Sequence, residues 1–134
     1  MKKQVTTFLT FNGCAEEAMN YYADLIEDAE ITSISRYMAG EAGAKGTVMA
    51  ATFKIKDQEL ACIDSAIKQN FSFTPAISIY MNCDSVEEIK KIFRGLSSEG
   101  KVFMELTSYG FSELYGWVED KYGVSWQLNL DYSV

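Results

Sequence analysis

Ala15-Glu16-Glu17-Ala18-Met19-Asn20-Tyr21-Tyr22-Ala23-Asp24-Leu25-Ile26 carries the period of an amphipathic helix. Ala15, Ala18, Met19, Tyr22, Leu25 and Ile26 recur at helical spacing, with Glu16, Glu17, Asn20 and Asp24 on the other side. Asn12-Gly13 supplies an entry turn, and the early acids suit the positive end of the helix dipole. A second helix follows the same plan. Asp84 or Ser85 can cap it, and Glu87 or Glu88 three positions later completes a capping box. Val86, Ile89, Ile92, Phe93 and Leu96 form its apolar stripe, and Gly100 follows its end. The two helices correspond at one constant offset. Glu16-Glu17-Ala18 stands against Glu87-Glu88-Ile89, Tyr22 against Phe93, and Leu25 against Leu96.

The flanking segments repeat as well. Val5 to Phe11 precedes the first helix, and Glu30 to Tyr37, Thr47 to Ile55 and Glu59 to Asp64 follow it. Ala76 to Met81 precedes the second helix, and Lys101 to Leu106, Tyr115 to Glu119 and Val124 to Leu130 follow it. Each half therefore reads strand, helix, strand, strand, strand, an α+β pattern. Gly40 to Gly46 forms a flexible loop, Lys56-Asp57-Gln58 a polar turn, and Ser65 to Thr74 the connector. Pro75 opens the second half, where a strand's first position tolerates the missing amide donor. The expectation is one domain over residues 1–134, with module one about 4–65 and module two about 75–130.

Composition narrows the chemistry. The chain is 48% hydrophobic and 23% charged, ordinary for a globular domain, with a formal net charge of -7. Phosphate backbones attract clustered Lys and Arg, and the densest basic group is only Lys90, Lys91 and Arg94 on a helix face, so nucleic acid is not an expected partner. No stretch approaches the roughly 20 apolar residues of a membrane span, and the threonine-rich start lacks a signal peptide's cleavage site. A cytoplasmic protein without a membrane partner is expected. Cys14, Cys62 and Cys83 are odd in number and form no C-x-x-C pair, which points to reduced thiols. There is no histidine at all. That removes the commonest metal ligand and the usual base for a Ser or Cys nucleophile.

Two long motifs carry a family likeness. They are Phe11-Asn12-Gly13 leading into Glu16-Glu17-Ala18-Met19-Asn20-Tyr21-Tyr22, and Gly116-Trp117-Val118 leading through Asp120-Lys121-Tyr122-Gly123-Val124-Ser125-Trp126-Gln127. On these the chain, from Phe8 to Leu130, resembles the vicinal oxygen chelate superfamily, also called glyoxalase/bleomycin-resistance/dioxygenase proteins. Within it the chain looks like the PhnB-like branch, often labelled 3-demethylubiquinone 3-methyltransferase-like. The resemblance implies two tandem βαβββ modules whose mixed, largely antiparallel sheet curves into a cup, in a protein that is commonly a homodimer. Metal-using members hold a divalent ion with His and Glu from both modules. Here the expected histidine after Val48-Met49 is Ala50, and the last carboxylate's place holds Gln127. Hydroxyls and amides are poor replacements for imidazole and carboxylate, so neither a metal nor another cofactor is expected. An adenosylmethionine site is not indicated either, because Phe11-Asn12-Gly13 offers one glycine and the pattern is not doubly wound.

The expected function is binding of a small organic molecule in the cup, with Thr10, Asp64, Tyr109, Trp117, Trp126 and Gln127 as contacts. Asp64 reads either as a polar anchor or general base at the cup's mouth, or as a cap for the turn before Ser65. Gln127 must face away from Trp126 and Leu128, either into the cup or outward. Glu105 shares the side of Phe103 by alternation, and is a cup-lining acid or a rim charge. Tyr109 and Phe111 flank Gly110 in a loop, where function concentrates. Two alternatives stay open: a metal-free or weakly metal-dependent lyase, isomerase or hydrolase using Asp64 or Glu105, and a structural or interaction module.

Overall fold

A computed structural model describes residues 4–132. The described residues divide into two compact units, one ending at Phe71 and the other beginning at Ser72. The first contains β1 (Thr7–Phe11), α1 (Ala15–Leu25), β2 (Ala29–Arg36), β3 (Val48–Ile55) and β4 (Gln58–Asp64). The second contains β5 (Ile79–Asn82), α2 (Val86–Ser97), β6 (Lys101–Thr107), β7 (Leu114–Glu119) and β8 (Ser125–Leu130). The sheet orders are β1-β4-β3-β2 and β5-β8-β7-β6. In each, the strand before the helix lies parallel to the last strand of its unit, and the other pairings are antiparallel. The repeat expected from the helix offset is thus a repeat of topology.

Each helix buries most of the stripe read from its sequence, with Leu25 and Val86 half-buried. Ala15, Ala18, Met19 and Tyr22 of α1 are buried, and the Tyr22 ring stacks 6.3 Å from Phe53 of β3. Ile89, Ile92, Phe93 and Leu96 of α2 are buried in turn. Ser85 is the N-cap of α2: its hydroxyl accepts from Glu88 N at 3.1 Å, while Glu88 Oε1 accepts from Asp84 N at 2.7 Å. The box differs from the ideal only in reaching the amide one residue before the cap. Helix α1 has no such device of its own, since Cys14 at its N-cap makes no side-chain cap bond.

Three expectations change. β5 begins at Ile79, so Pro75 occupies a turn before the strand and not its first position. β1 begins at Thr7, two residues later than the threonine-rich run suggested. The pairing of β6 with β7 shifts register between Val102 and Met104 and again between Met104 and Thr107. Simple alternation from Phe103 to Glu105 does not survive such bulges. Among the described residues, no helix is long and apolar enough to cross a membrane.

Candidate functional site

Strand β8 assigns its residues to two faces. Trp126 and Leu128 are wholly buried, whereas Gln127 between them is half-buried. On the neighbouring β7, a Cβ at Gly116 would lie 2.5 Å from Phe93 Cε2, which marks Gly116 as the helix-facing position. Tyr115 and Trp117 therefore project from the opposite face, and Trp117 is the ladder partner of Gln127. Tyr80 on β5, paired with Gln127 on its other side, belongs to the same face. The side of the second sheet away from α2 thus gathers Tyr80, Gln127, Tyr115 and Trp117.

Aromatic rings wall this face. Phe103 lies 4.9 Å from Trp117, and Lys101 Nζ sits 5.3 Å over the Phe103 ring. The loop after β6 folds back, so that Tyr109 and Phe111 stack at 6.2 Å. Both meet Tyr115 edge-on, at 5.9 Å and 5.2 Å. The Tyr109 hydroxyl donates to the Glu105 carbonyl at 2.6 Å, which ties the loop to the strand it leaves. Tyr109 and Phe111 nevertheless stay exposed, at 37% and 62%. Rings of this kind offer flat apolar contact that a preformed hydrogen-bond network already holds in place.

The polar floor is one connected network. The Tyr115 hydroxyl donates to Gln127 Oε1 at 2.6 Å, and Gln127 Nε2 donates to Ser78 Oγ at 3.3 Å. Ser78 Oγ lies 2.7 Å from Ser125 Oγ, which also accepts from Trp117 Nε1 at 2.9 Å. Burial raises the Tyr115 phenol above its ordinary value, and the neighbouring Tyr80 and Tyr109 phenols add to that. Tyr115 therefore remains a protonated donor at neutral pH. Beside this floor, Asn129 donates to Asn82 Oδ1 and Asp131 Oδ1, both at 2.9 Å, and accepts from Ser112 Oγ.

Of the residues expected to make contacts, the face brings together Gln127, Trp117 and Tyr109. Trp126 is placed elsewhere: it is buried on the helix side with its indole N–H on Asp120 Oδ2 at 2.9 Å. Asp120 also accepts from the amides of Tyr122 and Val124, so the turn closed by Gly123 (φ 92°) is organised around its carboxylate. Asp64 is likewise a clamp. Its buried carboxylate accepts from Gly13 N at 2.8 Å, Ala15 N at 2.9 Å and Val48 N at 2.9 Å. It caps a helix brought from far away in sequence, and not the turn before Ser65. Thr10 is half-buried on β1 of the first unit, and Glu105 is exposed on β6.

The donors present do not fit a divalent metal. Gln127, in the place of the last carboxylate, has both ends of its amide engaged by Tyr115 and Ser78, and Ala50 is a methyl group. Among the described residues no three His, Cys, Asp or Glu side chains are grouped to hold an ion. Ser78, Tyr115 and Ser125 go unlinked to Gln127 in the sequence reading. Ser125 was findable, because it sits two residues from Gln127 on one strand and so shares its face. The bonds to Ser78 and Tyr115 cross between strands and have no local signal.

Comparison with known proteins agrees with this fold. A family model described as 3-demethylubiquinone-9 3-methyltransferase matches residues 3–129. A solved PhnB protein from Bacillus cereus is 52% identical, with a TM-score of 0.92 over 96% of this chain and 99% of that one. At 10% identity, a glyoxylase/bleomycin resistance protein/dioxygenase domain from Frankia sp. EAN1pec gives a TM-score of 0.67, covering 99% of this chain and 94% of that one. The fosfomycin resistance protein FosX from Mesorhizobium loti gives 0.60 at 12% identity, covering 98% and 95%. These last two share the fold. No curated protein matches the chain.

Proposed function

This chain belongs to the 3-demethylubiquinone-9 3-methyltransferase family, of PhnB-like proteins within the vicinal oxygen chelate superfamily, and we propose that it binds a small, flat organic molecule without a metal. The observation that carries the reading is Gln127. It stands half-buried on a face walled by Trp117, Tyr115, Tyr109 and Phe111, and its amide is fixed by Tyr115 and Ser78. A prearranged polar group among aromatic rings lowers the ordering entropy that binding must overcome.

The same arrangement favours binding over catalysis. Asp64 has three backbone amides on its carboxylate, and Glu105 is exposed on β6. Methyl transfer, which the family description names, finds no support in the strand-to-helix turn. There the amides of Gly13 and Ala15 are already bonded to Asp64. The homodimer implied by the resemblance belongs to this proposal, and exposed Phe8 and Ile77 are apolar surface that a second copy would cover.

The test is a fragment screen on isotope-labelled protein. Flat fragments are expected to shift the Trp117 indole and Gln127 side-chain amide signals, and Trp117→Phe is expected to weaken their binding. Fragments that shift only residues away from this face would refute the site. Stoichiometric zinc, nickel or iron in purified protein would refute the metal-free reading. Sedimentation as a monomer at all concentrations would refute the dimer.

A further inference from the structure

We propose that the face around Gln127 recognises the oxygen of an uncharged carbonyl group, and selects against carboxylates and against cationic donors. The inference rests on the binding reading above and adds the chemical class of the ligand.

The floor carries more polar hydrogens than it has bonds to use them. Gln127 brings two N–H hydrogens to the floor, and Tyr115, Ser78, Ser125 and Trp117 bring one each. The network has four bonds: Tyr115 to Gln127, Gln127 to Ser78, Ser78 to Ser125, and Trp117 to Ser125. Two hydrogens are left over. With the amide oriented as described, one is the second N–H of Gln127 and the other is on a serine hydroxyl. Turning the amide over changes little. Ser125 then donates to Ser78, Ser78 to Gln127 and Gln127 to Tyr115, and the surplus becomes the Tyr115 hydroxyl hydrogen and, again, the second N–H of Gln127. Either orientation therefore presents an N–H to whatever lies on this face. Among the described residues nothing accepts it.

A surplus of donors calls for an acceptor. Orphaned N–H groups are tolerated less well than carbonyl oxygens with a spare lone pair, so the unused lone pairs here do not balance the account. A carbonyl oxygen with two lone pairs answers the surplus, and water can serve it in the free protein. Charge then decides between neutral and anionic acceptors. Lys101 Nζ is engaged over the Phe103 ring, and its ladder partner on β7 is Glu119. Glu119 shares the face of Trp117 by alternation and is paired with Ser125. A carboxylate entering among these rings would lose hydration and meet the Glu119 charge, which already stands opposite the cation of this wall, Lys101.

Three near-isosteric probes test this: benzamide, benzoate and benzamidinium. Each is titrated into the protein while the Trp117 indole and Gln127 amide resonances are followed. Benzamide is expected to bind at least ~5-fold more tightly than either charged probe, as one additional neutral hydrogen bond implies. Gln127→Glu removes the surplus hydrogens altogether, so benzamide should weaken and benzamidinium should become the preferred probe. Gln127→Met should weaken benzamide without creating that preference, which keeps the test meaningful if the Glu variant misfolds. Equal affinity for all three probes, or a preference for benzoate, would overturn the carbonyl inference and leave the binding site standing. No response of this face to any probe would overturn the binding reading and the inference together.

Discussion

Asp64 Oδ1 lies 2.9 Å from the backbone nitrogen of Ala15, joining the last residue of β4 to the first residue of α1 across 49 positions of sequence. The helix whose own N-cap contributes no side-chain bond is thereby capped by a neighbouring strand. Asp64 also accepts from Gly13 and Val48, so one carboxylate fixes the helix entry and the start of β3.

Removing that carboxylate leaves three amides without their acceptor, those of Ala15 and Val48 buried and that of Gly13 part-buried. Each orphaned buried donor costs about 1–3 kcal/mol, so Asp64→Ala is expected to lose at least ~2 kcal/mol of unfolding free energy. Asp64→Asn keeps one carbonyl oxygen and should fall between wild type and the alanine variant. Urea denaturation measures both. A loss below ~1 kcal/mol for the alanine variant would contradict the clamp.

The two tryptophans should separate by role. Trp126 is buried with its indole N–H on Asp120, whereas Trp117 is half-buried on the open face. Trp126→Phe removes a buried bond to a charged group and should cost about 1.5–3 kcal/mol. Trp117→Phe should cost less than ~1.5 kcal/mol, since its bond to Ser125 is between neutral groups. Emission left after Trp117→Phe should be blue-shifted and resistant to acrylamide. Ready quenching in that variant would place Trp126 wrongly.

The elements were legible because their signals are local. Periods of three to four marked α1 and α2, and alternation marked Gln127 as facing away from Trp126. What stayed hidden is made by contact across strands. Asp64 and Asp120 look alike in sequence as turn acids, but one caps a distant helix and the other holds its own hairpin and Trp126. Glu105 was assigned a face by alternation, and the bulges of β6 disturb the rule that assignment used. Gln127 was identified by family position, while its bonding to Tyr115 and Ser78 needed the sheet to be assembled.

Cys62 gives a pH-dependent prediction. Burial, with the nearby Asp64 charge adding to it, pushes its thiol up from 9.0 to about 12. A group with a raised folded value stabilises the fold fully below its unfolded value and loses that contribution as pH rises through the folded one. Stability should therefore decline between about pH 9 and about pH 12, in part through this thiol. Cys62→Ala should flatten the decline relative to wild type, although its stability at neutral pH falls from lost packing. In the native protein, Cys62 should resist alkylation at pH 8 until denaturant is added. Rapid native labelling of Cys62 would refute its burial.

Ser85 and Glu88 form a reciprocal pair whose coupling can be measured. The Ser85 hydroxyl accepts from Glu88 N, and the Glu88 carboxylate accepts from Asp84 N. Ser85→Ala removes one acceptor at the start of α2 and should cost about 0.5–2 kcal/mol. Glu88→Gln keeps a carbonyl acceptor but loses the charge facing the helix dipole, for about 0.3–1 kcal/mol. Because each bond holds the other's residue in place, the double variant should lose less than the two single losses combined. Strict additivity in the cycle would mean that the two caps act independently. The same substitutions should leave probe binding at Gln127 unchanged. The helix face of the sheet, which α2 covers, is opposite to the one that carries Gln127, and wholly buried Trp126 and Leu128 hold the register between them.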